Sequence, residues 1–482
     1  LSDRNEALRL SLLLSGMLTE EQQQVRIVGK IADFDLAQMG FTPERIGGSF
    51  LLDASASATR RGSYAARIGL DSIEIRNGYR TDRIRPTSVA FASDTASTRA
   101  EISSGDLSLR FSSRSPLDSL IAALTRSADT LARQIRLQSV DMEQLQPVLP
   151  DFDLQATAGR NNILNNLLRS RKASFDALEI RGGNHDSQPV SLRMRVEGLA
   201  SGGIVLDTVK LGIAQEARQL AYYLRVANTP GNLDHVAQAA VYGSLAGNTG
   251  QLNLWQKDRS GREGFRFGFD MAWTDSLIRA SVTPRNPLFG FEPWEVNPGN
   301  YLVYRFDKRV EADLDMTHGD QRFAIRTTPG GGDDDDIRLD IAGLNIGSML
   351  ELLPSAPPVD GVLGANLTLN LAADSLSLRG GVSVAELTYD KQRFGSVDLG
   401  LFYKQDRGHL ADARLTLDGA EVLTVQGDCR EGRESPLDLT MTVPGFPLQR
   451  TNVFLPADLL RLSGSLQARV HAGGTPERPK LD

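Results

Sequence analysis

The chain has 482 residues, 40% hydrophobic and 23% charged, and its 53 basic and 60 acidic side chains leave a net charge of −7. That mixture excludes a disordered chain and a bundle of membrane helices. Interspersed charge of this sign also argues against a nucleic-acid binder, which needs a clustered basic face.

The chain opens directly in an alternating stretch, Leu8, Leu10, Leu12, and ends at Lys480-Leu481-Asp482, so it reads as a segment of a longer protein. Apolar residues at every second position dominate most of its length, the pattern of strands with one buried face. The alternation appears at Val25, Ile27 and Ile31, and again at Leu107, Leu109 and Phe111. The pattern then breaks. Ser115-Pro116 predicts a helix start, and Leu117, Leu120, Ile121, Leu124, Ala128, Leu131 and Ile135 come after it at helical spacing. A second short helix is predicted over 161–171, with Ile163, Leu164, Leu167 and Leu168 on one face and Arg169, Arg171 and Lys172 at its C-terminal end. These helices either cover an open sheet or its end, or act as a lid or plug on a groove.

Alternation resumes at Val190, Leu192, Met194 and Val196, then at Leu220, Tyr222, Leu224 and Val226, and in aromatic form at Phe265, Phe267 and Phe269. It continues through Val310, Ala312, Leu314 and Met316, and through Ile337, Leu339 and Ile341. Leu367, Leu369 and Leu371 oppose Asn366, Thr368 and Asn370 on the other face; Val397, Leu399 and Leu401, and Leu437, Leu439, Met441 and Val443, complete the series. About 25 such segments, spaced as in an all-β chain, are expected. Two stretches read as breaks: Thr328 to Asp336, with Pro329, three glycines and four aspartates, and Pro354-Ser-Ala-Pro357-Pro358. The aspartate run lacks the alternating ligands and closing glutamate of a calcium loop. A glycine precedes alternating strands at Gly105, Gly395 and Gly464, which reads as turn chemistry.

Motifs for catalysis are missing. One cysteine, Cys429, and five scattered histidines, His185, His235, His318, His409 and His471, supply neither a disulfide framework nor zinc spacing. Gly29-Lys30 lacks the rest of a P-loop, and no G-x-S-x-G elbow exists. Three tryptophans, Trp255, Trp273 and Trp294, are few for the aromatic platforms of a sugar-binding groove. No catalytic residue, metal or cofactor is assigned.

An apolar strand face must be buried, against a second sheet or inside one long sheet curled lengthwise into a U; alternation alone does not separate the two. About 25 strands at about 4.8 Å each would make a curled sheet on the order of 120 Å long. An aliphatic channel would spare an acyl chain roughly 0.8 kcal/mol per CH₂ otherwise exposed to water. The positions expected to line such a groove are Leu107, Leu109, Phe111, Leu192, Met194, Val196, Phe265, Phe267, Phe269, Leu367, Leu369, Leu371, Val397, Leu399, Leu401, Leu439 and Met441. A one-residue register error would invert each strand.

Several blocks resemble the TamB proteins of the AsmA-like group, in the manner of their Bacteroidetes members. They are Phe291-Glu-Pro-Trp294-Glu-Val-Asn297-Pro-Gly-Asn300-Tyr, Val241-Tyr-Gly243-Ser-Leu-Ala-Gly247-Asn248, Phe446-Pro447-Leu448 through Phe454-Leu-Pro456 and Leu462-Ser-Gly464-Ser-Leu466, and Gly474-Thr475-Pro476. The resemblance implies a mostly β fold, an elongated curled sheet or β-taco with a U-shaped apolar groove, here carrying a short helical insert. It implies a periplasmic protein anchored in the inner membrane through a helix outside this chain, a non-enzymatic bridge-like conduit for phospholipid acyl chains towards the outer membrane. It also implies a possible outer-membrane barrel partner of the TamA/BamA class. The expected segments are 1–115 (groove), 116–172 (helical insert), 173–353 (groove) and 354–482, leading towards a C-terminal domain this chain does not contain. The alternatives are a scaffold or chaperone for outer-membrane proteins working by β-augmentation, and an extracellular adhesin or polysaccharide-binding β protein.

Overall fold

The computed structural model describes the chain except residues 1–7, 20, 42, 44, 78–79, 186–187, 229–237, 259, 284–286, 330–334, 352–355, 373–374, 407, 431–435, 456–459 and 476–477. His235, the centre of the acidic stretch at Thr328 to Asp336, and the start of the expected break at 354–358 therefore lie outside the described residues.

Strands hold 69% of the chain and helices 11%, and every described strand pair is antiparallel. The protein is thus mostly β, as the period-2 alternation requires. The chain divides into two compact units, one of Leu1–Asn232 with Ala240–Asn248, the other of Leu233–Ala239 with Thr249–Asp482.

In the first unit twelve strands pair in chain order: Leu8–Leu18, Gln22–Asp35, Ile46–Thr59, Tyr64–Asn77, Thr87–Ser93, Thr98–Ser104, Leu107–Ser113, Phe152–Ala158, Ala177–His185, Gln188–Ser201, Ile204–Glu216 and Gln219–Ala227. The helical segment falls between neighbouring strands of this ladder, and it is not wholly helical. Strand Phe152–Ala158 runs through its middle and hydrogen-bonds on both sides. The helices are Leu117–Arg136, Met142–Leu145 and Ile163–Ser170.

Ser115 does not cap the first of them. The amide of Leu117 donates instead to Ser93 Oγ at 3.0 Å, from a neighbouring strand, and the Ser115 carbonyl accepts from Thr98 Oγ1 at 2.8 Å. A partner from the sheet thus satisfies one of the orphan amides of the first turn. The third helix is capped locally, with Asn162 Oδ1 accepting from the Asn165 amide at 2.9 Å. Reciprocal backbone bonds between Val140 and Gly247, at 2.7 and 2.8 Å, tie the insert to residues 240–248 and explain why those residues belong to this unit.

The second unit is a longer meander. Thr249–Lys257, Glu263–Trp273, Leu277–Val282, Tyr301–Arg305, Val310–His318, Gln321–Pro329, Asp335–Asn345 and Val359–Ala372 pair in turn. Ser375–Tyr389, Gln392–Gln405, Gly408–Leu417, Ala420–Arg430, Leu437–Pro447, Ser465–Thr475 and Arg478–Leu481 continue it. Short pieces at Leu288–Phe289 and Glu295–Val296 pair onto its flank. Of the glycines read as turn residues, Gly105 (φ +61°) makes a tight turn. Gly395 instead sits inside strand Gln392–Gln405, beside a shift of register.

The chain exposes 29392 Å². A compact protein of this mass would expose about 17,600 Å², and two separate globules of half the mass about 21,000 Å². The sheets are therefore open rather than folded against a second layer over most of their area. Among the described residues no helix is long and apolar enough to cross a membrane.

Candidate functional site: the apolar face of each sheet

Directly opposed residues on antiparallel strands project to the same face, so the register decides which side chains share a surface. In the first unit one cross-strand row reads Ile27, Ala54, Ile68, Val89, Ile102, Leu109, Ala156, Ile180, Met194, Leu211, Leu224, with no polar member across eleven strands. The adjacent row carries Phe111, Leu154, Gly182, Leu192, Ile213 and Tyr222. Burial on this apolar side pushes the Tyr222 hydroxyl pKa up.

The second unit repeats the device. One row runs Leu314, Ile325, Leu339, Leu367, Gly380, Leu401, Ala413, Val425, Met441, Val470, and its neighbour Met316, Phe323, Ile341, Ala365, Val382, Leu399, Leu415, Leu423. Leu369 and Leu439 lie on the same face through Leu378, Tyr403, Ala411 and Gly427. Val397 joins it through Val384, and Leu371 through its partner Leu376.

The opposite face is charged and wet. Arg322 grips Asp315 through two hydrogen bonds of 2.8 and 2.9 Å, Arg326 reaches the same carboxylate, and Arg379 pairs with Asp336 at 3.1 Å. Arg322 holds the Asp315 carboxyl below the usual carboxylate range against the opposing effect of burial. Exposed pairs of this kind add little stability, but they mark which side of the sheet meets water.

All seventeen positions named from periodicity fall on the apolar face of their own unit, but not all in the same setting. Six lie where that face is covered. In the second unit Phe267 and Phe269 pack on a cluster of Val282, Trp294, Leu314, Met316 and Leu344, and Phe265 stands 6.2 Å from Phe289. In the first, Leu107 and Met194 pack around Val196, Val209, Ala158 and Phe175, under Leu164 and Leu168 of helix Ile163–Ser170. The other eleven belong to neither cluster. Leu109, Phe111, Leu192, Leu367, Leu369, Leu371, Val397, Leu399, Leu401 and Leu439 are half-buried, and Met441 is exposed. Ile213, Leu224 and Ile278, on the same faces, are also exposed.

The long helix behaves differently from its sequence pattern. Its buried positions are Leu120, Thr130 and Gln134, while Ile121, Leu124, Leu131 and Ile135 stand 48–67% exposed. Hydrogen bonds decide this orientation. Ser127 Oγ donates to the Val148 carbonyl at 2.7 Å, and the Gln134 amide exchanges bonds of 2.8 and 3.2 Å with the backbone of Asp141. The polar side of the helix is thus clipped to the loop after it and the aliphatic stripe is left outside.

The tryptophan block has a structural job that periodicity did not reveal. Trp294 is buried and donates from Nε1 to the Phe289 carbonyl at 3.1 Å. Asn300 takes the place of a neighbouring strand for Val282, accepting from its amide at 2.7 Å and donating to its carbonyl at 3.0 Å. Asn297 does the same for Asp315 through its own backbone and side chain. The signal available in the sequence was the pair of asparagines three residues apart, bracketing Pro298-Gly299.

The described histidines do not converge. His185 bonds Asp151 at 3.0 Å, His318 the Pro293 carbonyl at 2.8 Å and His409 the Tyr403 hydroxyl at 2.7 Å. Among the described residues no group of three or more His, Cys, Asp or Glu side chains could hold a metal ion. What the apolar faces offer is a wide hydrocarbon surface with few hydrogen-bonding groups, fit to hold an alkyl chain and unable to grip a polar head.

Comparison of the chain with protein-family models, with curated proteins and with solved structures finds no match in any of the three.

Proposed function

We propose that the apolar faces are contact surfaces for phospholipid acyl chains, and that the protein is a non-enzymatic segment of a periplasmic lipid conduit between inner and outer membranes. One observation carries the reading: cross-strand rows of aliphatic residues run unbroken over ten or more strands, and most of their side chains remain partly open to solvent. A sixteen-carbon chain in water costs about 12 kcal/mol, and a half-burying wall would recover roughly half of that. Partial recovery suits movement, because no position holds the chain tightly. The smooth Leu, Val and Ala surface gives an alkyl chain similar contacts at successive strands. The resemblance of the Trp294 block to TamB proteins supports the same reading, with an inner-membrane anchor outside this chain and a TamA/BamA-class barrel as the partner.

The test is site-specific photocrosslinking. A crosslinking side chain at Leu369 or Leu399 should label co-purifying phospholipid, identified by mass spectrometry, whereas one at Asn370 on the charged face should not. Equal labelling at all three positions, or none at any, would overturn the proposal.

A further inference from the structure

The polar face of the first unit holds a concentration of positive charge that the chain as a whole does not predict. The register places Arg181 directly opposite Arg193, and sets Arg195, Lys210 and Arg225 side by side on three consecutive strands. Like charges directly opposed on a sheet are destabilising, and the chain carries a net charge of −7, so general basicity does not account for them. Acidic neighbours neutralise only part of the group. Glu179 pairs with Arg181 and Glu197 with Arg195, each at 2.6 Å. Among the described residues neither Arg193 nor Lys210 has a carboxylate partner, and Asp153 is the other acid at the rim.

The surface beneath is concave. Gly183 and Gly212 leave its floor bare, and the ring of Tyr223 lies across Gly212, where a Cβ atom would come within 2.4 Å of it. The depression has a volume of about 560 Å³, room for more than a single ion.

We propose that this depression binds a phosphate group, with Arg193 and Lys210 as its principal ligands and the Tyr223 hydroxyl at the rim. A guanidinium fork matches the two unesterified oxygens that a phosphodiester keeps, and an ammonium can share one of them, or take a third in a monoester or inorganic phosphate. The site lies on the face opposite the aliphatic rows, so it goes beyond the acyl-chain reading and does not depend on it. The phosphate could belong to a soluble ester or to a lipid head group.

The experiment uses the whole chain at low ionic strength, because an exposed site is screened by salt. Calorimetric titration with inorganic phosphate is run beside sedimentation with phosphatidylcholine vesicles, with and without phosphatidylglycerol. Binding of phosphate, with a rise in melting temperature, assigns a soluble source; binding only to the phosphatidylglycerol vesicles assigns a head group. In either case R193Q/K210Q should weaken binding by about tenfold or more, the loss expected for charge-assisted bonds, while R193K retains part of it. Without ligand the double variant should melt no lower than the native chain, since the substitutions remove repulsion. Absence of binding to both probes, or binding unchanged in the double variant, would overturn the proposal.

Discussion

Two stretches of the second unit share one apolar face and one kind of sequence, yet differ in how that face is finished. Around Trp294, the residues Val282, Leu314, Met316 and Leu344 are 2–5% exposed. Three and five strands further along the same row, Leu367 and Leu401 are only half-buried, and Met441 at 36% is open. The row from Leu314 through Ile325 and Leu339 to Leu367 is continuous in register, so the strands do not make the difference. The connections do. Beyond Val282 the chain lays Phe289 and Trp294 over the face, and helix Ile346–Leu350 adds Met349. Nothing comparable packs on Leu367 or Leu401 among the described residues. Alternation determines which side of a strand is apolar; the connecting segments determine whether that side is closed.

The largest expected effect comes from this contrast. Trp294→Ala should cost about 3–5 kcal/mol, the range for removing a fully packed aromatic, whereas Leu399→Ala in the open stretch should cost about 1–2 kcal/mol, since the leucine is only partly withdrawn from water. Urea unfolding of the two variants gives both values. Equal losses would mean that the open stretch is covered after all.

Next in size is the pin that holds the covering segment down. Asn300→Ala would leave the buried amide and carbonyl of Val282 without partners, at a cost of about 2–3 kcal/mol. Asn300→Asp separates the two bonds, because a carboxylate can accept from the Val282 amide but cannot donate to its carbonyl. It should destabilise at least as much as the alanine variant in the same unfolding measurement, because its second oxygen would be buried against the carbonyls of Val282 and Asn297 with no proton between them. An aspartate variant as stable as the native chain would show that the carbonyl bond contributes nothing.

Much of this was legible in the sequence, for a physical reason. A period of two is imposed by the pleat, so Leu367, Leu369 and Leu371 had to share a face, and hydrogen-bond register then joined them to Leu401 and Leu439. The helices over 117–136 and 163–170 were legible from their spacing. Three features were not. The covering of Phe265, Phe267 and Phe269 depends on contacts from residues some twenty positions later, which no local pattern encodes. The orientation of the long helix ran against its apolar stripe, because Ser127 and Gln134 found backbone partners in the next loop and outweighed the exposed leucines. The cationic group at Arg193 was invisible because its members, spread from Arg181 to Arg225, meet only once the register is known.

A smaller effect tests the open face where it matters for lipid. Leu399→Asn should cost about 1–2 kcal/mol, similar to the alanine variant, since its amide can stay hydrated in a half-open surface. It should nevertheless lower phospholipid recovered with the purified protein, which lipid extraction and mass spectrometry would read. A loss of stability as large as that of Trp294→Ala would place Leu399 in a closed core and break the contrast.

The smallest effect concerns the joint between the first unit's sheet and its insert. Asp151 accepts from Arg114, and from His185 at 3.0 Å, while the Ser113 hydroxyl donates to its carbonyl at 2.6 Å. The Arg114 guanidinium is the main reason its carboxyl sits well below the ordinary 3.8; burial opposes the shift and the bond from His185 adds to it. A carboxylate held below its unfolded value stabilises the fold fully above that value and loses the contribution as pH falls through the lower folded one. Arg114 is largely exposed, with 68% of its side chain open, so screening limits the pair to about 1 kcal/mol at neutral pH. Asp151→Asn should therefore be less stable than the native chain at pH 7, and the two unfolding curves should converge as pH drops below about 4. Other carboxylates, Asp106 and Asp315 among them, are held low as well and will weaken both proteins in acid. The difference between the curves isolates Asp151, and a difference that stays constant from pH 7 to pH 2 would show that the asparagine acts through packing and not through charge.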